Sequence, residues 1–226
     1  MSDQRAIDSG SPSNMHRPRR LLAVLGTHTE VGKTWVGVQL LSAARSHGLR
    51  VAARKPVQSF EPLTGSSMTD AALLAGATGE RPVDVCSPHR CYELAMAPPM
   101  AADCLGKPRI TVQQLLAELT WPPGIDLGVV ESVGGPRSPL AHDADSVEFI
   151  ERLQPDRVLL VADAGLGSLN AIRLSLGCMQ SLPVAVFLNR FDARAALHEL
   201  NRTWLRERYG IATVTDVAEL LTAVAS

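Results

Sequence analysis

The residues best placed to do chemistry lie in one stretch, Gly26-Thr27-His28-Thr29-Glu30-Val31-Gly32-Lys33-Thr34, where the apolar run Leu21 to Leu25 ends and a helical pattern begins. Strand, glycine-bearing loop and helix in that order make a phosphate cradle. The first turn of a helix leaves backbone N–H groups unpaired at the positive end of its dipole, so it attracts anions. In such a loop Lys33 reaches the β- and γ-phosphates of a nucleoside triphosphate and the Thr34 hydroxyl ligates magnesium. The loop is one residue longer than the common G-x-x-x-x-G-K-[ST] form and carries Glu30 within it. An ordinary strand-to-helix turn is the competing reading, and the flanking strand and helix patterns speak against it.

In open parallel sheets the working groups gather at the carboxyl ends of the strands. Lys55, Glu131 and Asp163 each close an apolar run. Pro56 stops the strand behind Lys55 and holds the ammonium at the strand mouth, although a charge there can also simply face solvent. Glu131 emerges from Gly-Val-Val onto Ser132-Val133-Gly134-Gly135, and a carboxylate beside a triphosphate suits magnesium, which prefers oxygen ligands. Asp70 is ambiguous from its neighbours alone, since an acid in a first helical turn also complements the dipole. Gly165 to Asn170, at another strand-to-helix junction, reads either as an anion site of free N–H groups or as a helix capped by Ser168.

These groups need a scaffold, and the chain supplies one by alternation. Short Val- and Leu-rich runs at 21–25, 50–54, 127–131, 157–162 and 184–188 read as strands buried on both faces. Helical patterns at 33–47, 69–75, 112–119, 146–153, 168–180 and 194–208 separate them, with Gly48 as a stop for the first. The fold class is therefore α/β, a P-loop NTPase-like parallel β-sheet flanked by helices on both faces. Residues 1–19 are polar and aperiodic and read as a disordered extension, with residues 20–226 a single domain. Between 81 and 108 prolines at 82, 88, 98, 99 and 108 interrupt every period, so that stretch reads as an extended excursion with one helical turn.

Composition removes other classes. With 226 residues, 46% of them hydrophobic, the chain can bury a substantial core, and a net charge of −1 with nine aromatic residues offers neither a basic field nor a stacking platform for nucleic acid. No apolar run nears the roughly 20 residues of a membrane span, and no apolar signal-peptide core begins the chain, so a cytoplasmic location away from membranes is expected. Cys86, Cys91, Cys104 and Cys178 show no C-x-x-C pair and read as reduced, partly buried thiols.

Taken together the motifs resemble those of the dethiobiotin synthetases, ATP-dependent carboxylases of biotin synthesis. The resemblance runs in order through GTHTEVGKT at 26–34, KPVQS at 55–59, TDAALL at 69–74, APPMAA at 97–102, VESVGG at 130–135, GLGSLNA at 165–171 and Asn189 after VAVFL. It implies ring closure of 7,8-diaminononanoate with carbon dioxide or bicarbonate: one amine becomes a carbamate, the carbamate takes the γ-phosphoryl group of ATP, and the second amine closes the cyclic urea. It further implies that Thr34, Asp70 and Glu131 hold Mg2+ while Lys33 and Lys55 are catalytic, neutralising charge on phosphate and carbamate. Thr29, Glu30, Val31, Gly32, Lys33 and Thr34 would bind the nucleotide's phosphates and Asn189 its base. Thr29, Glu30, Ser59 and Glu131 would line the substrate site, and Gly167, Ser168, Leu169 and Asn170 would hold the diamine's tail carboxylate across a homodimer.

Departures from the family pattern are Ser132 and Val133 for Gly-Ala, Phe60 for the usual glycine, and a short tail lacking a proline-bearing loop. Three other readings stay open. They are a related P-loop ligase on another substrate, a nucleotide-dependent switch or partitioning ATPase, and a nucleotide-binding paralogue that has lost the reaction.

Overall fold

The computed structural model of the chain describes residues 16–62 and 68–225. In chain order the first half comprises β1 (Arg20–Gly26), α1 (Lys33–Ser46), β2 (Val51–Arg54), β3 (Gln58–Ser59), α2 (Asp70–Thr78), α3 (Pro82–Val85), β4 (Cys91–Tyr92), α4 (Pro98–Cys104) and α5 (Val112–Ala117). The second comprises β5 (Leu127–Glu131), β6 (Pro139–Ala141), β7 (Ala144–Asp145), α6 (Ser146–Leu153), β8 (Arg157–Asp163), α7 (Ser168–Gly177), β9 (Val184–Asn189), α8 (Ala196–Tyr209), β10 (Thr213–Val214) and α9 (Val217–Ala225).

Six strands form the central sheet in the order β10-β9-β8-β1-β5-β2, and every pairing within it is parallel. The register sets Val24 beside Glu131, Gly26 beside Val161 and Asp163 beside Asn189, so all the chemically interesting strand ends lie along one edge. Side chains alternate across a strand, and β1 shows what that does. Leu21, Ala23 and Leu25 join Val130, Val158, Leu160, Phe149 and Leu205 in the core on one face, while Leu22 and Val24 join Leu40, Leu41, Leu74 and Leu220 on the other. Two covered faces account for strands that read as continuous apolar runs.

Helix boundaries follow from local chemistry. Thr69 caps α2 by accepting from Ala72 N at 3.2 Å, and α2 runs past Ala75, through Gly76, to a stop at Gly79, whose φ is +81°. Reciprocal capping boxes start α5 (Thr111 with Gln114) and α6 (Asp145 with Glu148). α1 ends at the His47 cap just before Gly48 at φ +82°. α7 stops at Gly177, three residues earlier than its pattern suggests, where Cys178 N and Met179 N turn to carbonyls three residues back.

Between 81 and 108 the chain is more regular than an extended excursion. Pro82, Pro88 and Pro98 stand at the starts of α3, a 3-10 turn (Pro88–Arg90) and α4, where a missing N–H costs nothing, so the prolines open helices there instead of breaking them. β4 pairs with β3 in a small parallel sheet of its own. The two-residue β10 and the helix α9 have no counterpart in the sequence reading. Most of the extension expected to be disordered, residues 1–15, lies outside the described residues; of the remainder, Arg17 ion-pairs with Asp156 at 3.7 Å and Arg19 N donates to Ile125 O at 2.9 Å. Among the described residues no helix is long and apolar enough to cross a membrane.

Candidate active site

The loop from Gly26 to Thr34 connects β1 to α1 and is shaped by backbone geometry that few residues tolerate. Gly32 sits at φ +95° as the cap of α1, and a side chain there would meet the Asn189 amide. Glu30 also takes a positive φ, +63°. Asn189 Nδ2 donates to Val31 O at 2.9 Å, so the end of β9 props the loop from beneath.

Lys33 points back along the loop. Its ammonium donates to His28 O at 3.1 Å and to Gly134 O at 2.9 Å, joining the loop to the glycine turn after β5. Gly135 packs so closely on that loop that an added Cβ would lie 2.9 Å from Thr27 O. Burial and the nearby charge of Lys55 bring the Lys33 pKa down to about 8, against the pull of Glu131 and Asp70.

At the mouth of the cradle four side chains meet. Thr34 Oγ1 lies 2.9 Å from both Asp70 Oδ1 and Glu131 Oε1. Lys55 Nζ is 2.5 Å from Glu131 Oε1, 2.9 Å from Asp70 Oδ2 and 3.1 Å from Ser132 O, which engages all three of its N–H donors. Lys55 is 2% exposed and Glu131 is fully buried. Burial disfavours the Lys55 charge, but Glu131 and Asp70 outweigh it and hold its pKa above the ordinary lysine value. Burial likewise dominates at Glu131 and raises its pKa, whereas at Asp70 the Lys55 charge overcomes burial and lowers it. Two carboxylates and a hydroxyl thus converge beside the Lys55 ammonium, with the Lys33 charge acting on both acids from the loop.

That donor set fits magnesium. A hydroxyl and two carboxylates are the hard oxygen ligands the ion takes, and the second Glu131 oxygen, Oε2, is buried without a partner. A cavity of about 500 Å3 opens in front of the cluster, lined by Thr29, Glu30, Lys33, Thr34, Lys55, Ser59 and Asp70 among others. Ser59 is fixed there by donating to Met96 O, so α4 and its preceding loop form the far wall.

The structure thus gathers Thr29, Glu30, Gly32, Lys33, Thr34, Lys55, Ser59, Asp70 and Glu131 around one space. It does not bring Gly167, Ser168, Leu169 or Asn170 there. Gly167 caps α7 at φ +91° with no side-chain cap bond, so Ser168 is the first helical residue, buried and hydrogen-bonded by Asn201 Nδ2 at 3.3 Å. Asn170 is exposed and Leu166 is 92% exposed, both away from the cavity of their own chain. Asn189 borders a second cavity of about 460 Å3 with Trp35, Phe191, Thr215 and Asp216. Sequence reasoning missed this space, part of whose lining, Thr215, Asp216 and Val217, comes from the β10–α9 segment. Trp35, exposed directly after Lys33-Thr34, was the available signal. Among the cysteines, Cys86 is buried and Cys104 exposed, and all four are free thiols.

A family model described as an AAA domain matches residues 20–221. An ATP-dependent dethiobiotin synthetase of Haloferax mediterranei is 34% identical over 199 residues, covering 85% of this chain and 82% of that protein. One from Caulobacter vibrioides is 36% identical over 171 residues, covering 73% and 76%, and one from Corynebacterium efficiens is 34% identical over 167 residues, covering 74% and 72%. Among solved structures, a plasmid partition protein from Borrelia burgdorferi superposes with a TM-score of 0.52 at 12% identity, covering 92% of this chain and 97% of that one. A putative plasmid partition protein of the same organism bound to AMPPNP gives 0.51 at 13%, covering 90% of each chain. At such identities this likeness concerns the fold.

Proposed function

The chain belongs to the ATP-dependent dethiobiotin synthetase family, and from that membership we propose how its own residues carry the reaction. It is an ATP-dependent enzyme that forms dethiobiotin from small-molecule substrates. The diamine 7,8-diaminononanoate and carbon dioxide enter the 500 Å3 cavity facing the phosphate loop. One amine and carbon dioxide give a carbamate, whose oxygen attacks the γ-phosphorus of ATP; ADP leaves. The second amine then attacks the carbamoyl carbon and expels phosphate as the cyclic urea closes.

Phosphoryl transfer of this kind asks a protein mainly for position and charge. Lys33 supplies positive charge to the β- and γ-phosphates from the loop. Lys55, fixed by three hydrogen bonds, presents its ammonium where charge builds between carbamate and phosphate. Thr34, Asp70 and Glu131 hold Mg2+, which when bound offsets the negative charge of the phosphate oxygens. Thr29 and Ser59 line the diamine side of the cavity. The Gly167–Asn170 segment, which does not line the cavity of its own chain, serves a partner subunit in a homodimer, as the resemblance implies. The whole of this works as one P-loop domain from residue 20 onward.

The observation that carries the reading is the meeting of Thr34, Asp70, Glu131 and Lys55, from four separate segments, at one cavity mouth beside the phosphate loop. The experiment mixes the protein with ATP, magnesium, bicarbonate and the diamine and follows product by mass spectrometry. Dethiobiotin formation that needs all four components is expected. ATP hydrolysis indifferent to the diamine would overturn the assignment in favour of a nucleotide switch.

A further inference from the structure

Outside the cavities just described, one pair of nucleophiles stands face to face. Cys86, just after α3, and Cys91, the first residue of β4, hold their sulfurs 3.6 Å apart across the turn Pro88–Arg90. Cys86 is buried, whereas Cys91 is half-buried and lines a cavity of about 450 Å3. Lys107 and Arg109, both exposed, line that opening with positive charge.

Gln58 connects the pair to the active site. Its Nε2 donates to Cys91 Sγ at 3.1 Å, and its Oε1 accepts from Ala71 N at 3.2 Å, one residue past Asp70 in the first turn of α2. On the other side Lys55 N donates at 2.8 Å to the carbonyl of Val85, the neighbour of Cys86. Cys86 is therefore tied to Lys55 through the Val85 carbonyl, and Cys91 to the first turn of α2 through Gln58.

We propose that Cys86 and Cys91 form a thiol–disulfide exchange site, which a small anionic disulfide oxidises to an intramolecular bond, and that closure withdraws Cys91 from Gln58 and loosens the Asp70 end of α2. The Cys91 thiolate attacks one sulfur of the reagent; that S–S bond breaks, a mixed disulfide forms, and the departing thiolate takes up the proton Cys91 released. Cys86 then gives its proton to solvent and attacks the Cys91 sulfur, and the second reagent thiolate leaves and is protonated. Two protein thiols and one small disulfide become one protein disulfide and two small thiols. The sulfurs, 3.6 Å apart, close to the bonded separation of about 2.05 Å in this step.

Roles within the pair follow from position. Cys91 is the sulfur that reaches the cavity, and its hydrogen bonds with Cys86 and Gln58 lower its pKa against burial, so the accessible sulfur is the attacking one. The hydrogen bond with Cys91, and burial, push the Cys86 thiol up, which keeps the enclosed sulfur protonated until the mixed disulfide has formed.

The dithiol chemistry is independent of the reaction proposed above; only its effect on magnesium rests on that reading. The test uses the full chain carrying Cys104→Ser, treated with oxidised glutathione, quenched with N-ethylmaleimide and digested with trypsin. Cleavage after Arg90 puts Cys86 and Cys91 on different peptides, so their linkage is diagnostic. Expected are a linked peptide pair lost on adding dithiothreitol, and a magnesium requirement for turnover raised about tenfold, the lower end for groups that position metal ligands. Cys91→Ser should keep the basal rate and lose the response to glutathione. Two alkylated cysteines after oxidation would overturn the exchange site, and linkage without a change in magnesium requirement would overturn the coupling. An enzyme inactive before oxidation would count against the reaction, and the peptide linkage would still decide the dithiol.

Discussion

Lys33 is a lysine that gives up its proton near pH 8 in the unliganded protein, since burial and Lys55 both oppose its charge. A triphosphate favours the ammonium, so binding must take up protons above that pH. Affinity for ATP should be flat below about pH 8 and fall by up to about tenfold per pH unit above it. Calorimetry in buffers of different ionisation heat measures the uptake directly, and Lys33→Ala should bind more weakly with no slope; a slope surviving in that variant would exclude Lys33 as its source. At the metal cluster, Asp70→Ala and Glu131→Ala should each raise the magnesium requirement about tenfold or more, and the double variant less than the product, because both act on one ion. Stability should separate the two. Glu131→Ala strips a fully buried partner from a buried ammonium, a loss of about 3–5 kcal/mol, whereas Asp70, with its side chain 43% exposed, should cost about 1 kcal/mol or less. Denaturant titration of both variants checks the order. Lys55 and Glu131 were legible from sequence because each closes an apolar run, and strand ends share an edge in a parallel sheet. The Cys86–Cys91 contact was not, because it depends on how Pro88–Arg90 turns and no periodicity encodes that.

The central strands were readable within a residue because each is buried in the sheet, and helix starts were readable where a capping box is local: Leu127–Glu131 and Ser146–Leu153 match their patterns residue for residue. Apart from the nine-residue helix α9, what escaped was short or proline-started. Two residues of β10 carry too little pattern to register, and prolines that look like breaks in a string act as first helical residues in space. Asn189 shows the same limit for function. The resemblance assigns it to the nucleotide base, and in the structure its amide holds Val31 O. Asn189→Ala should therefore weaken binding of ATP and of inorganic triphosphate alike, by about fivefold, the scale of one hydrogen bond of about 1 kcal/mol. Competition binding with both ligands decides this: a loss confined to ATP would mean that the amide reads the base and the loop stands without it.

At the scale of the whole molecule, exposed apolar side chains gather on α7 and α8: Leu174 is 69% exposed, Leu200 66% and Trp204 53%, with Leu166 just before them at 92%. This is the face that the proposed homodimer would bury, and it adjoins the Gly167–Asn170 segment whose site would lie across the interface. Mixing Lys33→Ala chains with Asn170→Asp chains, each inactive alone, should restore up to about half a working site per heterodimer chain by simple two-fold symmetry. No recovery after proven subunit exchange would mean that each chain builds its own site.

The Lys33 contact with Gly134 O has a thermodynamic corollary. Two of the ammonium's three donors are committed to the carbonyls of His28 and Gly134, and Gly134 with Val133 also lines the cavity in front of Lys55. A triphosphate that recruits this ammonium competes with the turn for it, so nucleotide occupancy and the conformation of that wall share one free-energy cycle. By reciprocity, a diamine that prefers the released turn tightens nucleotide binding by the same factor that nucleotide tightens its own.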